Sequence, residues 1–263
     1  MDVQPILREL FQRSDLPRTA LLPGDPGRVD LICRNWTDTE EVHAVRGYRA
    51  ALGRLTSVPI AAISTGIGGP SSELVVAEAA ALGFTSLIRV GTSGSLHERV
   101  RPGDLVINEA SVRLDGTSEL YARATYPAAA DHRVTAALCD AAAALGCTYH
   151  VGVGCTSASF FAGQERATPQ GYLPPAAHGL MEEMRALSVL NFEEEAATLF
   201  VLGRLLGVQT GAVLAIIGNR VSGDYPDPTE AVRRAVDVAN RAAVLLHART
   251  AVEAPKRAGE TAT

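Results

Sequence analysis

The densest chemistry in the chain lies in residues 63–96. An apolar, β-rich run from Val58 to Ser64 breaks at Thr65-Gly66-Ile67-Gly68-Gly69-Pro70, resumes with a helical pattern and ends in a second apolar run, Ser86 to Val90. That pattern reads as strand, glycine loop, helix, strand. Glycines let the backbone approach a ligand closely and expose N–H donors that no side chain covers, so the loop suits an anion. The second break, Arg89-Val90-Gly91-Thr92-Ser93-Gly94, puts a permanent cation, two hydroxyls and two glycines at the C-terminal end of a buried strand. Ligands of open α/β sheets bind at such ends. An arginine there meets either an anion or the carboxylate of a structural ion pair, and the glycines and hydroxyls beside it favour the anion.

Other strand ends repeat the theme. A strand over Thr19 to Leu22 stops at Pro23-Gly24-Asp25-Pro26-Gly27-Arg28, and one over Thr210 to Ile217 stops at Gly218-Asn219-Arg220. Independent surface arginines have no reason to recur at one edge of a sheet. Between Thr156 and His178 no period is visible, and a loop of that length in a compact domain is usually functional or disordered. It contains Phe160-Phe161-Ala162-Gly163-Gln164-Glu165-Arg166, aromatic and amide groups in excess of what a spacer needs. Glu193-Glu194-Glu195 opens a helix that runs to Leu206 and stops at Gly207. The helix dipole favours acidic residues in a first turn, which accounts for two of the three.

The scaffold for these groups is an alternation of strands and helices. A short helix is expected over residues 5–11 with Ile6, Leu7, Leu10 and Phe11 inward, and further helices over 27–35, 131–145, 180–187 and from about 228 to 249. A hairpin joins Gly47 to Leu52 with Val58 to Ser64, and strands are expected near 105–108 and 147–154. The stretch from Asn108 to Ala129 reads as irregular. This is an α/β fold, a central mixed, mostly parallel β-sheet flanked by helices.

Composition narrows the function. At 263 residues, 47% hydrophobic and with mean hydropathy +0.10, the chain buries a core as one domain. A net charge of −5 argues against nucleic acid or a membrane surface as partner and toward small substrates. Of the 24 lysines and arginines only Lys256 is a lysine, which removes Schiff-base chemistry and a P-loop. Cys33, Cys139, Cys147 and Cys155 form no C-x-x-C pair, no signal peptide opens the chain, and no 18-residue uncharged apolar run occurs, so a cytoplasmic protein with reduced cysteines is expected. The six histidines have no metal-ligand spacing, and no metal is expected.

Taken in order, Pro-Gly-Asp-Pro-Gly-Arg (23–28), Ser-Thr-Gly-Ile-Gly-Gly-Pro-Ser (64–71), Arg-Val-Gly-Thr-Ser-Gly (89–94), Phe-Phe-Ala-Gly-Gln-Glu-Arg (160–166) and Asn-Phe-Glu-Glu-Glu-Ala-Ala-Thr-Leu-Phe (191–200) resemble the bacterial uridine phosphorylase branch of the nucleoside phosphorylase family. The resemblance runs from about residue 15 to 250. It implies one nucleoside phosphorylase-like domain over residues 1–253, followed by a polar, disordered tail over 254–263. It implies reversible phosphorolysis of a pyrimidine nucleoside to free base and ribose 1-phosphate, with inorganic phosphate as co-substrate and no cofactor. Gly24, Arg28, Arg89 and Thr92 would hold phosphate, joined by Arg46 from a neighbouring subunit of a homodimer or of a hexamer of dimers. Gln164 and Arg166, helped by Arg220, would read the uracil edge, with Phe160 on the base. Glu195 would accept from the ribose 2′ and 3′ hydroxyls. An Arg89→Ala protein is expected to fold and to be inactive.

Three positions depart from the family pattern. Its N-terminal histidine, which approaches the ribose 5′ hydroxyl from the adjacent subunit, corresponds to Arg8 across a two-residue gap. Arg8 is then either a solvated arginine on an amphipathic helix or a site for an anionic or otherwise altered 5′ group. The family's methionine between two glutamates is Glu194, which either pairs with Arg8 of a neighbour or reads a polar sugar substituent. Beside Glu195 it would also repel, raising one carboxylate's pKa. The glutamate that follows the trans arginine in potassium-binding relatives is Gly47, so no alkali ion is expected. Intact phosphate and base motifs with altered sugar positions point to uridine or a sugar-modified uridine as substrate. Alternatives are a UMP or 5′-modified nucleoside phosphorylase, a nucleoside hydrolase and a non-catalytic nucleoside-binding protein. A dinucleotide oxidoreductase fits less well, since the loop at Gly66 lacks the third glycine of G-x-G-x-x-G.

Overall fold

The computed structural model describes residues 5–7, 9–42 and 44–253. Arg8 and the tail over 254–263, both singled out above, lie outside the described residues. Where apolar residues run unbroken the chain forms buried strands, and where they recur at helical spacing it forms helices that cover the sheet. In chain order the elements are β1 (Thr19–Pro23), α1 (Arg28–Cys33), β2 (Thr37–Val42), β3 (Ala50–Leu55), β4 (Val58–Ile63), α2 (Gly69–Ala81), β5 (Ser86–Ser95), β6 (Leu105–Leu114), α3 (Thr117–Tyr121), β7 (Ala128–Ala129), α4 (His132–Ala144), β8 (Tyr149–Ser157), α5 (Leu180–Ala186), β9 (Asn191–Glu193), α6 (Ala196–Leu206), β10 (Gln209–Asn219) and α7 (Thr229–Glu253).

The strands form one mixed sheet in the order β10-β6-β8-β9-β5-β1-β4-β3-β2, with β7 added to β6. Because β10 pairs with β5 as well as with β6, the strands β5, β10, β6, β8 and β9 close on themselves into a ring. The open limb β1-β4-β3-β2 leads away from it. Pairings of β5 with β1 and β10, of β1 with β4, and of β8 with β6 and β9 are parallel, while the remainder are antiparallel. One face of the sheet is covered by α1, α4 and α7, through Val29, Ile32, Val134, Leu138, Val236 and Ala239. The other is covered by α2 and α6, through Val75, Val76, Leu199 and Phe200. The result is a single α/β domain with helices on both sides of a large mixed sheet.

Three expectations are corrected and one strand was not anticipated. Residues 5–11 do not make an α-helix: the N–H groups of Ile6 and Leu7 are each taken at 2.8 Å by the Glu78 carboxylate of α2, and only a 3₁₀ turn follows at Leu10–Gln12. Ile6, Leu7 and Leu10 are nonetheless buried as expected. The glycine-containing segment 89–94 is not a break. Parallel pairing with β10 supplies backbone partners through Gly91 and Gly94, so β5 continues to Ser95. The stretch 108–129 is not irregular throughout, since it holds most of β6, α3 and β7. Finally, β2 had no apolar signal because it is an exposed, charged edge strand, Thr-Asp-Thr-Glu-Glu-Val, of the kind that resists edge-to-edge association. The four cysteines are free, as expected. Among the described residues no helix is long and apolar enough to cross a membrane.

Candidate active site

The site begins where β1 and β5 lie side by side. Their register places Leu22 against Arg89 and Pro23 against Val90, so β1 leaves the sheet beside Val90 while β5 runs on, paired with β10, to Ser95. The β1 end turns through Gly24 into α1, whose first residue is Arg28. Arg28 Nη1 donates to the Val90 carbonyl at 3.0 Å, which brings its guanidinium toward that of Arg89. Burial, and next the like charge of Arg89, hold Arg28 below its ordinary pKa. Two half-desolvated guanidiniums with repelling charges are a ready receptor for an anion. Gly91 makes the approach possible: a Cβ there would lie 2.9 Å from the Arg89 guanidinium carbon and 2.5 Å from Leu214. Thr92 is half-buried and faces the same cavity.

Arg89 also reaches the acidic triple, which joins β9 to α6. Glu193 is buried and accepts from the N–H groups of Glu195 and Ala196 at 2.8 and 2.9 Å and from the Thr156 hydroxyl, so it caps the first turn of α6. Its Oε2 lies 3.0 Å from Arg89 Nε, but without hydrogen-bond alignment, so the contact is an ion pair that leaves the Nε–H without an acceptor. Glu195 Oε1 accepts from the Gly68 N–H at 2.6 Å, and its Oε2 pairs with Arg89 Nη2. Gly68, at φ +85°, turns the glycine loop so that this N–H, at the mouth of α2, faces Glu195. Of the two readings of Arg89 offered by the sequence, the ion pair with carboxylates is present, and the side chain also lines the cavity. Burial drives the Glu193 pKa up, opposed by Arg89. Burial, then Glu195 and Glu193, push Glu194 up as well.

The far end of the cavity is the loop after β8. Ala162–Gln164 forms a 3₁₀ turn, and Glu165 follows at φ +50°. The Glu165 carboxylate accepts from the N–H groups of Gly179 and Met181 at 2.9 and 2.6 Å, tying the loop to the start of α5. Arg220, just past β10, donates to the carbonyls of Gln164 and Glu165 and stacks 5.5 Å from the Phe192 ring centroid. It supports the loop from behind and does not itself line the cavity. Burial, and then the charge of Arg166, lower its pKa to about 10. Arg166 lies 4.8 Å over the Phe160 ring, and its Nε is buried without a partner. Gln164 is 4% exposed, and its side-chain amide makes no hydrogen bond among the described residues. The amide faces the same cavity, of about 660 Å³, within the usual range for small-molecule sites.

Gly24, Arg28, Arg89, Thr92, Phe160, Gln164, Arg166, Glu194 and Glu195 thus line one cavity. Arg46 does not: it is exposed, at φ +60°, beside Gly47 at φ +82° in a turn closed by the Tyr48 N–H on the Val45 carbonyl. Two successive positive-φ residues give a tight turn on which Arg46 is exposed and outside the cavity lining, and the conformation is uncommon for a non-glycine residue. Sequence reasoning missed Glu193, whose capping role hid its contact with Arg89, and also Ile67, Ser93, Phe192 and Tyr225 in the cavity wall. The signal for Phe192 was its place inside the Asn-Phe-Glu-Glu-Glu motif. Nothing in the sequence marked Tyr225. Among the described residues no group of three or more His, Cys, Asp and Glu side chains is arranged to hold a metal ion.

An α/β sheet with an arginine-rich cavity at the carboxyl ends of β1, β5 and β10 is a small-molecule anion site of enzyme type. The chain belongs to the phosphorylase superfamily, whose family model matches residues 18–252. It is 43% identical over 232 residues to a uridine phosphorylase of Thermococcus kodakarensis, covering 88% of this chain and 83% of that protein. A uridine phosphorylase of Escherichia coli is 37% identical over 230 residues, 84% of this chain and 91% of that protein. A guanosine phosphorylase of Halorubrum lacusprofundi is 31% identical over 224 residues, 85% of this chain and 87% of that protein.

Proposed function

We propose that the protein is a pentosyltransferase that cleaves uridine with inorganic phosphate, giving uracil and ribose 1-phosphate, without a cofactor. The observation that carries this is the order of charge along β5. Arg28 and Arg89 stand where β1 ends beside β5, Glu195 pairs with Arg89 and has Glu194 next to it in the chain, and Arg166, whose loop Arg220 braces, stands further along β5 at Gly94. The transition state of nucleoside phosphorolysis has the complementary order: an anionic phosphate, an oxocarbenium-like sugar and an anionic departing base. Fixed charges aimed at charge that develops only in the transition state lower the barrier directly.

In this reading Arg28, Arg89, Thr92 and the Gly24 backbone orient phosphate below C1′, and proximity supplies much of the acceleration. Glu195, held by Arg89 and the Gly68 N–H, accepts from the ribose hydroxyls. Because one guanidinium serves both phosphate and Glu195, the two substrates are positioned by the same side chain. Gln164 offers a donor and an acceptor for the carbonyl and N3–H of uracil, Arg166 donates to a second carbonyl, and Phe160 packs on the ring. As the glycosidic bond breaks, these donors stabilise the base anion.

The relatives named as uridine phosphorylases support the pyrimidine assignment, and so does Asn219. Its amide donates to the carbonyls of His97 and Val100 and accepts from the N–H groups of Val221 and Ser222. That side chain is occupied, and the neighbouring carboxylate, Asp224, accepts from the Ser222 hydroxyl and does not line the cavity where it could protonate a purine ring. Arg46, presented outward, would complete the phosphate site of a neighbouring copy, making the working unit at least a dimer. Initial rates with uridine and inosine in phosphate buffer test the base assignment. Uridine should be cleaved at least a hundredfold faster, and a preference for inosine would overturn it.

A further inference from the structure

The chain uses two of its three consecutive glutamates for itself. Glu193 caps α6 and pairs with Arg89, while Glu195 is held by Gly68 and Arg89. Glu194 is half-buried, lines the cavity, and makes no hydrogen bond or ion pair among the described residues. The charges acting on it are Glu195, Glu193 and Arg89, so its surroundings are net negative, and the one cation is already shared between the other two carboxylates.

We propose that Glu194 selects nucleosides whose sugar carries a cationic hydrogen-bond donor, an amino group in place of a hydroxyl. The inference rests on the phosphorylase reading and names the substrate class of its sugar subsite. The neutral ribose hydroxyls already have the Glu195 carboxylate as acceptor, so a second carboxylate beside it adds above all negative charge, which a neutral sugar does not need. A charge-assisted bond to an ammonium group is shorter and stronger than one between neutral partners. The two neighbouring carboxylates add to that attraction, and by the same field they repel a sugar bearing a phosphate. The cavity therefore takes an anion at Arg28 and Arg89 and refuses one at the sugar. The reaction that supplies such a substrate must replace a nucleoside hydroxyl by an amine before the base is removed, and the product is an amino-sugar 1-phosphate.

The experiment compares uridine, its 2′-, 3′- and 5′-amino-deoxy analogues and UMP as substrates in phosphate at neutral pH, for wild-type protein and for Glu194→Gln and Glu194→Met. At least one amino analogue should exceed uridine in kcat/KM by about tenfold or more. Glu194→Gln, which keeps shape and hydrogen bonding but loses charge, should reduce the amino-to-uridine ratio at least tenfold, mainly through KM. UMP should be the poorest substrate. If no amino analogue is preferred over uridine in the wild type, the inference is wrong while the phosphorylase reading stands. An unchanged ratio in both variants contradicts it equally, as when Glu194 serves only as an ion-pair partner for a neighbouring copy. Release of base from none of these substrates overturns the phosphorylase reading and the inference with it.

Discussion

Arg89 lines the cavity and also braces two buried carboxylates, so its substitution acts on the site and on the fold together. The sequence reading expected Arg89→Ala to fold normally, but the structure shows that removing this guanidinium leaves Glu193 and Glu195 buried side by side without their shared cation. Breaking a buried ion pair in this way costs about 3–5 kcal/mol. Arg89→Ala should therefore lose activity and also unfold at markedly lower denaturant, as measured by urea titration. Arg28 donates to a single backbone carbonyl, and its charge is opposed by Arg89. Arg28→Ala should lower kcat/KM for phosphate by a factor on the order of 100, while its urea midpoint stays near wild type. Glu194 belongs to the same scale. Its pKa is raised above the ordinary 4.5, so the folded state holds the proton more tightly than the unfolded chain. The penalty for ionising it is absent below pH 4.5, grows as pH rises from there to the raised value, and is constant above it. Glu194→Gln should thus melt higher than the wild type at pH 8 and no higher at pH 4. A gain that is larger at pH 4 would contradict the sign of the shift.

At the scale of elements, the base end of the site is a loop clamped from two sides. Arg220 holds the carbonyls of Gln164 and Glu165, and the Glu165 carboxylate holds the N-terminal turn of α5. Arg220→Ala should leave the catalytic groups in place but loosen them, raising KM for uridine about tenfold with a smaller change in kcat, and exposing residues 158–178 to limited proteolysis. Equal loss of kcat would instead make Arg220 a direct contact to the reacting base. What the sequence disclosed at this scale follows from local physics. β4, α2 and α6 were legible because apolar period and glycine stops are local signals. The extension of β5 through Gly91 and Gly94 was not, because its cause is a partner strand more than a hundred residues away. β2 was hidden because an exposed edge strand has no apolar face to betray it. The short N-terminal helix failed because a single distant carboxylate, Glu78, competes for its N–H groups.

At the scale of the whole molecule, nine of the proposed contact residues fall in one cavity although they come from four separated stretches of chain. Their types were readable from spacing and resemblance, while the ring of strands that gathers them was not, since closure through β10 is a tertiary event. Arg46 stands apart on its exposed turn, and the role proposed for it requires a second copy. Mixing inactive Arg28→Ala and Arg46→Ala proteins under subunit exchange should recover about a quarter of wild-type activity, because half the dimers are mixed and each mixed dimer has one intact site. No recovery on demonstrated exchange would return Arg46 to the solvent. The central claim, attack by phosphate on a nucleoside, is tested most directly by incubating the wild-type protein with uridine, with and without phosphate, and identifying both products. The account predicts uracil only when phosphate is present, in equal amount with ribose 1-phosphate. Uracil released with free ribose in the absence of phosphate would contradict it and make the enzyme a hydrolase.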